Sequence, residues 1–232
     1  EEKITSLEYN LFTEILEKVE QKKSVMQEIA ISIATLDCLI SFSFTSNKYK
    51  YTKPEINETN TIELVDCRHP VIEQTQTEFI PNTIMLTEQK NLLIITGPNL
   101  AGKSTLLRQT ALCVLLAQIG CFVPAKKASI GIVDRIFTRI GAYDDLTLGQ
   151  STFMVEMVET ALILNTATKK SLILLDEMGR GTSTFDGISI AWSVCEYLAS
   201  KIQAKTLFAT HYHQLNNLEK KFPNVKNYNI SV

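Results

Sequence analysis

Cysteines are few in this sequence, and none of them form the close pairs that build common disulfide or zinc sites. The five cysteines are Cys38, Cys67, Cys113, Cys121 and Cys195. Their number is odd and the sequence contains no Cys-x-x-Cys segment. A disulfide framework and a structural zinc site are therefore not indicated, and a reducing interior is the favoured environment.

The sequence also lacks an excess of charge of one sign. The formal net charge is −2 over 232 residues, of which 45% are hydrophobic and 21% charged, as in ordinary globular proteins. No global positive field indicates nucleic-acid binding, so any DNA contact is expected to be local or to lie outside this chain.

Long apolar runs are missing as well, because polar residues interrupt the apolar stretches well before 18 positions. The first ten residues, EEKITSLEYN, lack the cationic and apolar regions of a signal peptide. We therefore expect an intracellular protein without a membrane partner. The chain begins without Met and ends in the strand-like NYNISV, so we expect a segment of a longer protein.

The first 45 residues show a helical pattern. Apolar residues recur three and four positions apart from Leu11 to Ile40, which predicts one long helix with a single buried stripe. The alternative is two shorter helices broken in the polar stretch Gln21–Ser24. Residues 46–61 are polar and contain Pro54, so we interpret them as a linker with a possible short extended segment.

Residues 62–232 alternate between strand-like and helical segments. Strands are predicted at 62–67, 82–87, 91–97, 135–140, 171–176, 205–210 and 225–230. Helices are predicted at 102–119, 152–166, 187–199 and 213–221. This alternation predicts an α/β domain with a mainly parallel sheet covered by helices on both faces.

GPNLAGKST fits the phosphate-loop pattern GxxxxGK[ST] and lies between a predicted strand and a predicted helix. Gly97 and Gly102 allow the backbone N–H groups to face a phosphate, Lys103 can reach the β- and γ-phosphates of ATP, and Ser104 can ligate Mg²⁺. The alternative is a chance glycine turn. The full set of predicted phosphate-binding residues is Gly97, Pro98, Asn99, Ala101, Gly102, Lys103, Ser104 and Thr105.

SLILLDE is an apolar strand that ends in two carboxylates, at the end where parallel sheets place their ligand sites. Asp176 is predicted to belong to the Mg²⁺ shell, and Glu177 to polarise the attacking water as a general base. A solvated strand edge is the alternative interpretation.

LFATHYH repeats this arrangement, since an apolar strand delivers Thr210 and His211 to the same predicted edge. The His211 imidazole could contact the γ-phosphate or the hydrolytic water, although a histidine at a strand end is often only structural. For His213 and His69 the structural role is favoured.

LTLGQS, residues 146–151, is similar to the Leu-Ser-Gly-Gly-Gln signature that ABC ATPases present to a nucleotide on a partner subunit. Ser151 would cap the following helix and contact the γ-phosphate in trans. A capping serine without a further role is the default interpretation, and Asp144 and Asp145 are by default a solvated turn.

With these segments the sequence resembles the ATPase core of the DNA mismatch repair protein MutS family. The resemblance lies in GPNLAGKSTLLRQTAL, GQSTFMVEM, LLDEMGRGTSTFDG and TLFATHYHQL, which occur in the family's order, and it covers most of the chain from residue 68 onward. Residues 1–45 resemble the end of the lever helix and core that join the ATPase to a DNA clamp.

The resemblance implies an ABC-type P-loop ATPase that uses ATP and Mg²⁺, hydrolyses ATP to ADP and phosphate, and switches a DNA clamp. It implies a homodimer, or a heterodimer of relatives, with Ser151 acting in trans. Phe79 and Ile80 would flank the adenine, and Gly179–Ser183 would cross the dimer interface. It also implies a MutL-type partner, and mismatched double-stranded DNA bound through regions absent here.

The sequence departs from the family at Leu100 and Ala101, where Met and Gly are common, and both loop glycines remain. This sequence does not contain several regions of the family, namely the mismatch-reading domain, the connector, most of the clamp and the C-terminal helix-turn-helix. One alternative is a clamp of the same family for recombination intermediates, and another is a transporter ATPase, which the STFMVEM and DEMGRGTS segments disfavour. Bacterial cytoplasm, an organelle and a nucleus all remain open as compartments.

Overall fold

The computed structural model describes residues 1–75, 78–98, 101–140 and 152–230. The chain divides into two compact units, Glu1–Lys48 and Tyr49–Val232. We describe each unit by itself. Residues 49–61, which the sequence assigns to a linker, belong to the second unit, and α-helix extends to Lys48 in the first.

The first unit consists of two helices instead of the single helix predicted: α1, Glu2–Glu20, and α2, Lys23–Lys48. The break falls in the polar stretch that the alternative interpretation names. Gln21 keeps right-handed helical angles, with φ −58° and ψ −22°, but the Lys22 N–H donates to the Val19 carbonyl at 2.9 Å and closes a tighter turn. No apolar side chain occurs between Glu20 and Ser24 to favour an uninterrupted helix.

Helix α2 is long and apolar enough to cross a membrane when only its length and composition are considered. This is weak evidence, because the core helices of water-soluble proteins pass the same test. The helix contains Glu28 and Asp37 together with several serines and threonines, and its apolar side chains are interrupted as the sequence suggests.

A four-stranded mixed sheet forms one layer of the second unit. Its strands are β1 (Glu55–Asn57), β2 (Ile62–Cys67), β3 (Asn82–Leu86) and β5 (Lys127–Gly131), in the spatial order β1-β5-β2-β3. β1 is parallel to β5, and β2 is antiparallel to both β5 and β3. β1 occupies the possible extended segment of the predicted linker, whereas β5 was not predicted. A short helix, α3 (Ile72–Thr75), follows β2.

A five-stranded sheet in which all strands are parallel forms the centre of the unit. Its strands are β4 (Leu92–Thr96), β6 (Ile136–Ile140), β7 (Leu172–Asp176), β8 (Lys205–Ala209) and β9 (Val225–Asn229), in the order β6-β7-β8-β4-β9. All five are predicted strands, each within one or two residues. The sequence predicts one mainly parallel sheet, so the separate mixed sheet is an addition that only the structure shows.

Helices cover both faces of the parallel sheet, as predicted. They are α4 (Lys103–Gln118), α5 (Thr152–Thr166), α6 (Thr184–Tyr197), which continues into a π-turn at Leu198–Ile202, and α7 (Leu218–Lys221), which follows a 3₁₀ turn at His213–Asn217. Leu93 and Leu174 point into a core shared with α4 and the mixed sheet, whereas Ile94 and Ile173 point into a core shared with α6. Successive side chains of a strand therefore point to opposite faces of the sheet. Both faces are buried, which is why the strands are apolar throughout.

Lys205 is the one charged residue among the largest fully buried side chains of the described part of the chain. It begins β8, at the edge of the sheet where the strands start, and its Nζ donates to Asn60 Oδ1. Burial lowers the pKa of Lys205 from its ordinary value of 10.5 to about 8, against the opposing charge of Asp134.

We expect Lys205 to make stability depend on pH between about 8 and 10. In that window the unfolded chain holds a proton on this lysine that the folded chain has lost, so unfolding free energy rises with pH, by about 1–2 kcal/mol. Lys205→Met should abolish this rise. Urea unfolding at several pH values measures it, with the exposed Lys220→Met as a matched control, and an unchanged rise in Lys205→Met would contradict the assignment.

Candidate functional site

Three predicted motif segments meet at the carboxyl edge of the parallel sheet. β8 lies between β4 and β7, and Ala209 at its end is paired with Ile95 on one side and Asp176 on the other. The segments that follow these strands therefore leave the sheet side by side. Ligand sites of parallel sheets form at this edge, because the loops there are free of the core.

Lys103 lies at the start of α4 and is 5% exposed. Its Nζ donates to the carbonyls of Gly97 at 2.9 Å and Pro98 at 3.0 Å. These acceptors are neutral, so they hold the ammonium in place without cancelling its charge. Gly102, the N-cap of α4, adopts a left-handed conformation with φ 90°. The end of the loop thus combines a fixed cation with a helix N-terminus, which favours an anion.

Ser104 and Asp176 form the second part of the site. The Ser104 hydroxyl donates to Asp176 Oδ2, whereas Asp176 Oδ1 is buried and has no hydrogen-bond partner among the described residues. Burial raises the pKa of Asp176, and the Ser104 hydrogen bond opposes this effect. The unpaired carboxylate oxygen of Asp176 and the hydroxyl oxygen of Ser104 are both of the ligand type that Mg²⁺ prefers.

No group of three or more His, Cys, Asp or Glu side chains suited to a metal occurs in the described part of the chain. The residues present therefore do not form a complete protein cage. Mg²⁺ does not require such a cage, since it usually takes one or two protein oxygens and completes its shell with water and substrate phosphates.

Glu177 follows Asp176 directly and leaves the strand in a left-handed conformation, with φ 55°. Its N–H donates to the Ala209 carbonyl at 2.8 Å, and its Oε2 forms an ion pair with Arg180 Nη1 at 2.5 Å. Positive φ at a residue other than glycine is unfavourable, and such strain concentrates at functional sites. The Glu177 carboxylate is thus engaged by a cation.

Thr210 and His211 follow β8 as predicted. Thr210 is fully buried, and its Oγ1 accepts the Tyr212 N–H at 3.0 Å, whereas His211 is exposed and its ring lies 4.1 Å from that of Tyr212. Partial burial, followed by the charge of Arg180, lowers the pKa of His211. The neutral imidazole is therefore favoured at pH 7.

The other two histidines lie outside this group. His69 is 7% exposed, and its Nδ1 accepts the N–H groups of Val71 and Ile72, both at 3.3 Å. It therefore caps the turn before α3, a structural role in keeping with the prediction. His213 begins the 3₁₀ turn and is exposed.

The remaining predicted site residues have varied positions. Phe79 is half-buried and Ile80 is 80% exposed, directly before β3. Ala101 and Thr105 are half-buried at the start of α4. Asn99 and Ser151 lie outside the described residues, as does the rest of the predicted signature, 146–151. Their proposed roles stay predictions.

A cavity of about 300 Å³ opens at the same edge and includes residues that sequence reasoning did not assign to the site. Its lining residues are Arg139, Thr152, Glu156, Asp176, Glu177, Arg180 and Gly181. Glu156 is 5% exposed although it lies within the apolar run of α5. The available signal is that Glu156 stands between apolar residues in Phe-Met-Val-Glu-Met-Val, because a carboxylate is seldom buried without a specific partner.

The chain matches a family model described as MutS domain V over residues 93–232. It is 56% identical to the DNA mismatch repair protein MutS of Ruminiclostridium cellulolyticum. It is 58% identical to the proteins of the same name from Alkaliphilus metalliredigens and Protochlamydia amoebophila. These alignments cover 100% of the chain but only 27%, 27% and 28% of the respective relatives. The chain therefore spans about a quarter of the length of these relatives.

The packing of the loop after Glu177 on α6 can be measured by comparing two glycines that have nearly equal φ angles. Gly179 has φ 88°, and a Cβ there would lie 2.7 Å from the Gly187 carbonyl oxygen of α6; Gly120 has φ 89° and open space around it. We expect Gly120→Ala to cost about 1 kcal/mol from backbone strain alone. Gly179→Ala should cost about 1–3 kcal/mol more, because the methyl group forces the loop and α6 apart.

Urea unfolding of the two variants measures the difference in unfolding free energy. Equal destabilisation of both would show that the loop after Glu177 is not tightly packed on α6.

Proposed function

The chain belongs to the MutS family, and from this premise we propose that it binds and hydrolyses ATP at the carboxyl edge of its parallel sheet. The observation that supports this most directly is the Ser104 hydroxyl bonded to Asp176, whose second oxygen is buried and unpaired, beside a fixed Lys103. The triphosphate of ATP would supply an anion for Lys103, and its Mg²⁺ would supply a cation for the unpaired oxygen of Asp176.

In this proposal Lys103 and the start of α4 bind the phosphates. The ammonium is already held by two neutral carbonyls, so little ordering is needed when a phosphate arrives. Ser104 and Asp176 would hold Mg²⁺, which neutralises phosphate charge when bound. Burial raises the pKa of Asp176, and a bound Mg²⁺ would oppose this effect by favouring the ionised carboxylate.

Glu177 acts as the general base toward water in the proposed reaction. An ion-paired carboxylate is a weaker base, so the Arg180 contact has to loosen before Glu177 can accept a proton. His211, favoured as the neutral imidazole, contacts the γ-phosphate or the water from the neighbouring strand end. The arrangement described here therefore corresponds to a state that binds nucleotide but turns it over slowly.

The composite character of the site is part of the proposal. Two chains, either identical or close relatives, would face each other so that Ser151 of each reaches the nucleotide of its partner subunit. Gly179–Ser183 would lie at this interface, and Phe79 and Ile80 would flank the adenine. The exposure of Ile80 leaves its apolar side chain free for such a contact.

We further propose that the ATPase cycle switches a DNA clamp during mismatch repair. The names of the relatives, DNA mismatch repair protein MutS, favour this role over one in recombination. Mismatched DNA would be bound by regions other than this chain, and a MutL-type protein is the proposed downstream partner. The bacterial relatives favour an intracellular, DNA-associated location.

Lys103→Ala and Glu177→Gln should separate binding from turnover. Lys103→Ala removes the buried cation and should weaken ATP binding about 100-fold or more. Glu177→Gln keeps the shape but loses the base, so ATP affinity should stay within about 3-fold while kcat falls about 10²- to 10⁴-fold. Calorimetric titration with Mg·ATP and a phosphate-release assay measure the two effects.

Lys126→Ala, whose side chain is 77% exposed, serves as the matched control for loss of a positive charge. A Glu177→Gln variant that hydrolyses ATP at the unsubstituted rate would overturn the assignment of the general base.

A mixing experiment tests the composite site. Ser151→Ala should leave ATP binding to one chain intact but slow hydrolysis, and Lys103→Ala should be inactive alone. A one-to-one mixture restores one working site in each mixed dimer, so about a quarter of the unsubstituted rate is expected. A mixture no more active than the sum of its components would rule out the trans arrangement.

A further inference from the structure

The loop after Glu177 is held at a single residue, Gly179, by side chains from two other motif segments. The Gly179 N–H donates to Glu156 Oε1 at 2.7 Å, and the Gly179 carbonyl accepts the Tyr212 hydroxyl at 3.1 Å. Glu156 and Tyr212 are each 5% exposed. Both backbone polar groups of Gly179, which belong to two successive peptide units, are therefore satisfied by buried side chains and not by secondary structure.

Glu156 and Tyr212 each lie close in sequence to a residue with a predicted role in the site. Glu156 lies in the second turn of α5, the helix that begins at Thr152, directly after Ser151. Tyr212 follows His211 at the end of β8. Gly179 is thus the point at which α5, the loop after β7 and the segment after β8 meet.

A second contact between α5 and the loop lies two residues further along the chain, at Gly181. A Cβ added to Gly181 would lie 3.0 Å from Phe153 Cβ and 3.2 Å from its Cα, so the loop packs directly on the first turn of α5. On the opposite side Gly179 packs on Gly187 of α6. Between them these contacts leave the loop little freedom to move without α5.

The charge of Glu156 also acts on Tyr212. Burial, followed by the charge of Glu156, raises the pKa of Tyr212, so the phenol keeps its proton and remains a donor to Gly179. Glu156 itself is a carboxylate removed from water, and such a group is costly unless it has a specific function or a full set of partners. It lines the same cavity as Asp176 and Glu177.

We propose that Glu156 and Tyr212 are positioning residues for hydrolysis: by holding the two peptide units on either side of Gly179, they orient Glu177 and Arg180 and couple the position of α5 to the general base. This inference rests on the proposed ATPase function. Glu177 and Arg180 flank Met178 and Gly179, so a rotation of either peptide unit at Gly179 changes the geometry of their ion pair. A shift of α5 would reach Glu177 through Glu156.

The first test compares three substitutions. Glu156→Ala removes the acceptor and should lower kcat about 10-fold or more, while KM and the Kd for Mg·ATP stay within about 3-fold. Glu156→Gln keeps an acceptor oxygen and should recover most of kcat. Tyr212→Phe removes only the hydroxyl and should lower kcat about 3- to 10-fold. The exposed Glu55→Ala and the 45% exposed Tyr197→Phe are the matched controls.

The second test asks whether Glu156 acts through Glu177. Single-turnover hydrolysis is measured for Glu156→Ala alone, for Glu177→Gln alone and for the double variant. If Glu156 only positions the base, adding Glu156→Ala to Glu177→Gln should change the residual rate less than about 2-fold. An equal fold loss in both backgrounds would overturn the proposal, since the two residues would then act independently.

The outcomes distinguish failure of the positioning role from failure of the proposed ATPase function. Equal rates for the unsubstituted chain and Glu177→Gln overturn the general-base assignment, and this proposal falls with it. A normal effect of Glu177→Gln with no effect of Glu156→Ala or Tyr212→Phe overturns only the positioning role. If Glu156→Ala fails to fold, Tyr212→Phe decides, together with hydrogen exchange of the Gly179 amide, which should be faster in Tyr212→Phe than in Tyr197→Phe.

Discussion

A parallel sheet buried on both faces leaves its strand ends as the places where polar side chains can meet. In this protein the residues of β4, β7 and β8 are buried along their whole length, so the polar groups of the site collect at the strand ends. Asp176 is the last residue of β7, and Lys103 and His211 follow β4 and β8. Because the strands are parallel, all three segments leave at the same edge. The covered sheet is the constraint on which the candidate site depends.

Polar contacts to backbone groups then arrange the site. Lys103 bonds two carbonyls of its own loop, and Gly179 is bonded at both its N–H and its carbonyl by side chains. Each contact satisfies a group that would be costly to bury alone, so a change at one motif disturbs the partner of another. The ion pair of Glu177 with Arg180 lies within this network and keeps the proposed base engaged.

Much of the fold could be predicted because its signals are local. Apolar runs marked β4, β7 and β8, and the predicted helix 152–166 has the bounds of α5. Strand β5, in contrast, is a short Lys-Ala-Ser-Ile-Gly segment whose partners are 62 to 74 residues earlier, so no local pattern marks it. The break between α1 and α2 was only an alternative, because helical periodicity continues across it.

The side chains that bear the proposed chemistry can be identified from the residue order, since the residue types and their spacing in GPNLAGKST and LLDE specify a phosphate loop and a strand that ends in carboxylates. The tertiary structure alone decided the strand order, the separate mixed sheet and the bonding of Gly179 by Glu156 and Tyr212. The physical reason is distance along the chain. Glu156 and Tyr212 are 23 and 33 residues from Gly179, and only packing of the sheet and its helices brings them together.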